Sequence, residues 1–240
     1  PVGEDPNNVT GGNPHNPQGV NTSYMWELIW TKETIFDLIY DFIYIETKRD
    51  KHGRKVGERP IFPRYQQIRA VRAVSADMLR SPLLLNYLVQ HSAGSGKTKT
   101  ISWLAHKLAS LYKPGTDELL YDKVIIATDR KVVDKQLQDA VTDMAKDSGI
   151  IRVMDKNKTS ADLAKALGLD PTRRKSSYRI IATTLQKFLY LSAGELAGSG
   201  KRFVVIIDEA HGSTSGKNMA SINAALASGD APDTYLDELD

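Results

Sequence analysis

The sequence predicts an α/β protein: a parallel β-sheet with helices on both faces, and a ligand site along the carboxyl ends of its strands. Three observations predict it. Short β-branched runs alternate with segments of helical periodicity between residues 83 and 207, the order that builds βαβ units. A glycine-rich loop, His91-Ser-Ala-Gly94-Ser95-Gly96-Lys97-Thr98, follows the apolar run Leu83 to Val89 and opens a helical pattern. The most apolar run in the chain, Phe203-Val-Val-Ile-Ile207, ends in Asp208-Glu209-Ala210-His211. Loop and carboxylates both follow strands, which is where open α/β sheets bind their ligands.

Gly-Ser-Gly-Lys-Thr between a strand and a helix has the chemistry of a phosphate-binding loop. Glycines let backbone N–H groups close around phosphates, and the helix N-terminus adds partial positive charge. Lys97 is placed to reach the β- and γ-phosphates of ATP, and the Thr98 hydroxyl to hold Mg²⁺. The first position of the loop is His91 where the general pattern has glycine. Downstream, Asp208 suits the same Mg²⁺, and Glu209 suits the water that attacks the γ-phosphate. Consecutive residues beyond a strand end can address different ligands, so an adjacent pair serves metal and water separately. His211 is expected to link this site to whatever the protein moves on.

Taken in order, residues 1–22 are rich in Pro, Gly and Asn without apolar period and read as an extended linker. Residues 23–60 read as a helical lead-in. There Trp26, Leu28, Ile29 and Trp30 precede a stripe of Ile35, Leu38, Ile39, Phe42 and Ile43, a helix expected to pack on the main core. Within the lead-in, Lys48 to Arg59 is basic and glycine-containing, the pattern of a solvated surface loop. The remaining 61–240 form the α/β lobe. Pro60-Ile-Phe-Pro63 breaks the chain, and Ile68, Val71, Met78 and Leu79 predict a helix that ends at Ser81-Pro82.

After the loop, Ile101, Leu104, Leu108 and Leu111 predict one helix, and Leu137, Ala140, Val141 and Met144 another. Strands are expected at Val124–Thr128, Ile150–Val153 and Arg179–Thr183, besides the run at 203–207. A small helix falls within 156–169 and a short one through Leu185, Phe188 and Leu189, while Arg173-Arg174-Lys175 is a basic loop. From Gly212 onward the chain is small, polar and acidic at its end.

Composition narrows the function classes. Hydrophobic content of 41% and charged content of 25% over 240 residues are ordinary for a globular protein. With no cysteine, disulfides and Cys-ligated zinc are excluded, in keeping with the cytoplasm. No apolar stretch is long enough to cross a bilayer, so no membrane partner is expected. A net charge of +3 permits a nucleic-acid partner without demanding one.

Asp-Glu-Ala-His together with Gly-Ser-Gly-Lys-Thr resembles the superfamily-two helicases and translocases. Arg64-Tyr65-Gln66-Gln67, the His91-containing loop, Thr128-Asp129-Arg130 followed by Leu137, and Thr183-Thr-Leu-Gln-Lys-Phe188 resemble, more narrowly, the motor domain of type I restriction endonuclease R subunits. The resemblance covers about residues 23–213 and includes the histidine at 91. It implies a RecA-like first motor lobe in which Gln67 reads adenine. Gly94, Ser95, Gly96, Lys97 and Thr98 would bind ATP and Mg²⁺, and Asp208 and Glu209 would run hydrolysis. The segments at Asp129-Arg130 and Thr183-Thr184 would lie along the DNA backbone. Where family members often carry Arg-Ser-Gln after the histidine, this chain has Gly212-Ser213-Thr214, which removes a positive side chain at 212.

The resemblance further implies double-stranded DNA and the methyltransferase and specificity subunits as partners, with a nuclease and a second lobe supplied by a longer parent chain. On that expectation the fragment binds ATP weakly and hydrolyses it slowly or not at all, because an arginine finger from a second lobe is worth ~10³–10⁵ in rate. Two other readings stand beside it: a different superfamily-two DNA or RNA helicase, and a scaffold in which the nucleotide is a switch.

Overall fold

The structure is a computed structural model of the 240-residue chain. It describes residues 17, 19–23, 25–50, 52–80, 86–92, 94–128, 133–145, 148–170, 176–191, 196 and 198–209. The chain divides into two compact units, Pro1–Ile43 and Tyr44–Asp240.

In the first unit a π-helical turn, Met25–Ile29, leads into helix α1, Lys32–Asp37, and a second π-helical turn, Leu38–Phe42. Thr31 starts α1 by accepting a hydrogen bond from the Thr34 N–H at 3.3 Å. The expected stripe is helical but is not one buried face. Phe42 is buried, whereas Ile35, Ile39, Trp26 and Trp30 are exposed. From Leu38 the winding widens to i→i+5, so residues spaced for a 3.6-residue turn no longer collect on one side.

The second unit opens on a hairpin that corrects the reading of 23–60 as helical and of 48–59 as a loop. Strand β1, Tyr44–Arg49, pairs antiparallel with β2, Lys55–Ile61, placing Tyr44 opposite Ile61 and Glu46 opposite Arg59. Opposite charges stabilise it across the strands, with Arg59 Nε donating to Glu46 Oε2 at 2.6 Å. Asp50 builds the turn by accepting from the N–H groups of His52 and Arg54 at 2.8 and 2.9 Å. Of the basic residues of this stretch, Lys48, Lys55 and Arg59 thus lie in the strands and Arg54 in the turn.

Helix α2, Tyr65–Arg80, buries Gln67, Val71, Val74, Ser75 and Met78 along one stripe. Beyond it, residues 86–92 make no sheet pairing. The expected strand at 83–89 is therefore absent over 86–89, and 83–85 lie outside the described residues. Tyr87 turns its hydroxyl to Asp77 at 2.8 Å, and Leu88 faces solvent.

Helix α3 spans Lys97–Ala109. Strands β3 (Lys123–Thr128), β4 (Ile151–Val153), β5 (Ile180–Thr184) and β6 (Phe203–Asp208) form one sheet of order β4-β5-β3-β6, parallel throughout. The connections carry α4 (Lys135–Asp143), α5 (Ser160–Leu167) and α6 (Leu185–Leu189). Strand alternation sorts the core into two halves. Val124, Ile126, Ile180, Ala182 and Val204 pack with α2, α3 and α4; Ile125, Ala127, Ile181, Val205 and Ile207 pack with α5 and α6. This is the α/β parallel sheet with helices on both faces. None of the helices among the described residues is long and apolar enough to cross a membrane.

Candidate nucleotide-binding site

The loop before α3 needs its glycines. Gly94 and Gly96 have φ of 74° and 90°, a left-handed conformation that side chains disfavour. Gly96 is also the N-cap of α3, so no side chain there covers the first N–H groups of the helix, which such a helix offers to an anion. A Cβ on Gly96 would stand 2.6 Å from Gln67 Nε2. Gln67, 3% exposed, donates to the carbonyls of Gly96 and Ser95 at 3.1 and 3.4 Å and accepts from the Arg64 N–H at 2.7 Å. Arg64 Nη1 reaches the Gly94 carbonyl at 3.4 Å. The amide of Gln67 is thus engaged with the loop backbone and staples the start of α2 to it.

Lys97, at the first position of α3, lies 3.3 Å from Glu209 Oε1. The loop and the carboxylate end of β6 therefore converge as their chemistry requires. Register explains how: Thr128 of β3 stands opposite both Thr184 of β5 and Asp208 of β6, so three strands end on one level. Glu209 then departs with φ of 57°, rare for a residue with a side chain and worth about 1–3 kcal/mol of strain. That departure carries its carboxylate to Lys97.

Two further loop atoms fit a polar guest. Ser95 Oγ and His91 Nε2 are buried without a hydrogen-bond partner, and buried polar atoms normally have one. Burial, then the neighbouring Lys97 charge, lowers the His91 pKa below its ordinary value, so the ring is neutral at pH 7. Among the described residues no group of three or more His, Asp or Glu is placed to hold a metal. A hydroxyl and a carboxylate are the hard oxygen donors Mg²⁺ takes from a protein, one or two at a time, with waters and phosphate oxygens completing its shell. Thr98 and Asp208 are the residues that would hold it.

Sequence reasoning missed the neighbours of Lys99. Its ammonium donates to Glu46 Oε1 at 2.6 Å and to the Tyr44 hydroxyl at 2.7 Å. Burial opposes the charge on Glu46, but hydrogen bonds from Lys99 and Arg59 outweigh it and hold the carboxyl below its usual range. Burial likewise opposes the charge on Lys99, which the bonds to Glu46 and Tyr44 nonetheless hold above its usual value. The signal in the sequence was the alternation Tyr44, Glu46 against Arg59, Ile61, hidden by charge.

The hydroxyls of Thr183 and Thr184 serve the fold. Both are buried, and Thr184 caps α6 by accepting from the Lys187 N–H at 3.4 Å. His211, Asp129-Arg130 and Arg173–Lys175 lie outside the described residues.

A family model, the SWI2/SNF2 ATPase, matches residues 66–230, from the start of α2 through the loop, the sheet and Asp208-Glu209. The chain belongs to the SWI2/SNF2 ATPase family. Neither the curated proteins nor the solved structures give a match. A SWI2/SNF2 domain is an ATP-binding, ATP-hydrolysing unit of the helicase and translocase kind, and this one has its phosphate loop and its acidic strand end in one place.

Proposed function

We propose that this chain is the first motor lobe of a type I restriction enzyme R subunit, an ATP-driven translocase of double-stranded DNA. The observation that carries the reading is the 3.3 Å approach of Lys97 to Glu209, which brings the phosphate loop to the strand-end carboxylates. The narrower assignment is supported by the segments around Arg64, His91 and Thr183-Thr184-Leu-Gln-Lys-Phe188.

In this reading Lys97 exchanges its contact with Glu209 for the β- and γ-phosphates of ATP, and the exchange frees Glu209 to orient the attacking water. Thr98 and Asp208 would hold Mg²⁺, which would supply positive charge to the phosphates. His211 couples hydrolysis to movement on DNA. The parent subunit would act in the cytoplasm with methyltransferase and specificity subunits, and cut DNA after translocation.

The test is ATP consumption by the assembled parent enzyme on unmethylated linear DNAs of increasing length, with Lys97→Ala alongside. ATP used per DNA should rise with length and vanish in the variant. Hydrolysis indifferent to DNA length would overturn translocation. The family match itself favours a second reading, a SWI2/SNF2 motor outside any restriction complex. Length-dependent hydrolysis that needs neither a methyltransferase nor a specificity subunit would select it.

A further inference from the structure

We propose that the β1–β2 hairpin is a positioning element of the nucleotide site and that Glu46 is its key residue, fixing Lys99 and with it the first turn of α3. The proposal rests on the ATP-binding reading above.

The first turn of α3 contains Lys97 and Lys99 and no acidic residue. A helix N-terminus already carries partial positive charge, so cations there are unfavourable. Residues two apart on a helix point in different directions, and the two lysines diverge. Lys97 meets Glu209 at 3.3 Å; Lys99 meets Glu46 at 2.6 Å. The missing acid of this helix is thus supplied by a different element.

The hairpin is held to do this. Glu46 is itself fixed across the strands by Arg59. Tyr44, buried, contacts Lys99 through its hydroxyl and sets its ring edge-on to Trp103, with centroids 6.1 Å apart and planes at 74°. Lys99 and Trp103 lie one helical turn apart on the same face of α3, so the hairpin grips that helix at two levels. Between the two lysines sits Thr98, the residue placed for Mg²⁺. A cavity of about 420 Å³ adjoins this clamp, and Thr98, Asp139 and Asp143 line it with Glu46 and Lys99. A Lys99 released from Glu46 has those α4 carboxylates to turn to, which would pull the first turn of α3 off its line.

The experiment is a double-mutant cycle on the 240-residue chain, reading the affinity for a fluorescent ATP analogue with Mg²⁺ and the melting temperature without it. Glu46→Gln should weaken binding about fivefold to twentyfold where Lys99 is present, and less than about twofold where Lys99 is already replaced by Met. Glu46→Asp should recover part of the loss. Should Glu46→Gln fail to fold, Lys99→Met alone replaces it: it leaves the pair of Glu46 with Arg59 intact and should weaken binding by the same fivefold to twentyfold. Equal losses from Glu46→Gln in both backgrounds, no loss in either, or a folded Lys99→Met that binds as tightly as the parent chain would overturn the proposal. Lys97→Ala runs in parallel: if it binds as tightly as the parent chain, the ATP reading has failed, independently of the hairpin.

Discussion

Replacing Gly96 by alanine tests the loop geometry most directly, because Gly94 provides a matched control. Both have positive φ, at 90° and 74°, but a Cβ at Gly94 meets nothing within 4 Å whereas one at Gly96 lies 2.6 Å from Gln67 Nε2. Gly94→Ala should therefore cost only the left-handed backbone, about 1–2 kcal/mol. Gly96→Ala bears the same strain and must also displace the Gln67 amide from the carbonyls of Gly96 and Ser95. Each lost hydrogen bond is worth about 0.5–1.5 kcal/mol, which brings the total to about 2–5 kcal/mol. Urea unfolding followed by tryptophan fluorescence measures both variants, provided the slope of the transition is unchanged. In a Gln67→Ala background the cost of Gly96→Ala should fall to that of Gly94→Ala. Equal costs for the two glycines in the parent chain would refute the argument that Gln67 is stapled to the loop.

The buried Lys123 makes a pH prediction. Burial, then the charges of Lys201 and Arg179, push its pKa down to about 8, below the ~10.4 of an unfolded chain. Between those values the unfolded state binds more protons, so stability should rise with pH from about 8 to about 10.4, by about 3 kcal/mol at most; Lys123→Met should flatten that rise in urea midpoints taken at successive pH values, and an unchanged slope would count against it. Glu209→Gln should keep Mg·ATP binding while lowering ATP turnover of the assembled parent enzyme by ~10²–10⁴, with nucleotide titration separating the two effects. At the far end of the sheet, Thr159→Ala removes the capping box that Thr159 and Asp162 form at α5 and should cost about 1 kcal/mol. Nucleotide affinity, measured beside the urea midpoint, should not move with it.

Much of the sheet was legible because buried parallel strands have little freedom of composition. Val124–Thr128, Ile180–Thr184 and Phe203–Asp208 are β-branched or apolar on both faces since helices cover both. The loop was legible for a similar reason: glycine alone takes the φ of positions 94 and 96 without strain. The hairpin was not. Its stability lies in pairs such as Glu46 with Arg59, which a hydrophobic period does not register. The run at 83–89 is apolar enough for a strand, yet Tyr87 and Leu88 turn to Asp77 and to solvent, a choice made by tertiary contacts. Spacing alone did not reveal the π-helical turn at Leu38–Phe42 either, because the same residues fit a regular helix until the backbone widens. The contact of Gln67 with the loop depends on where two distant segments meet, which no local pattern encodes.

The alternation along β6 reaches further than the core. Val204 and Ile206 face the side occupied by α3, while Phe203, Val205 and Ile207 face the side of α5 and α6. Counting on by two from Ile206 puts Asp208 on the α3 side, the side of Thr98. A slip of one residue would turn that carboxylate to the opposite face of the sheet, and it would also force every valine and isoleucine of the strand into the wrong half of the core. The address of the proposed metal ligand is thus enforced by aliphatic side chains that line the core, and a substitution that loosens their packing can silence the ATPase without touching a charged residue.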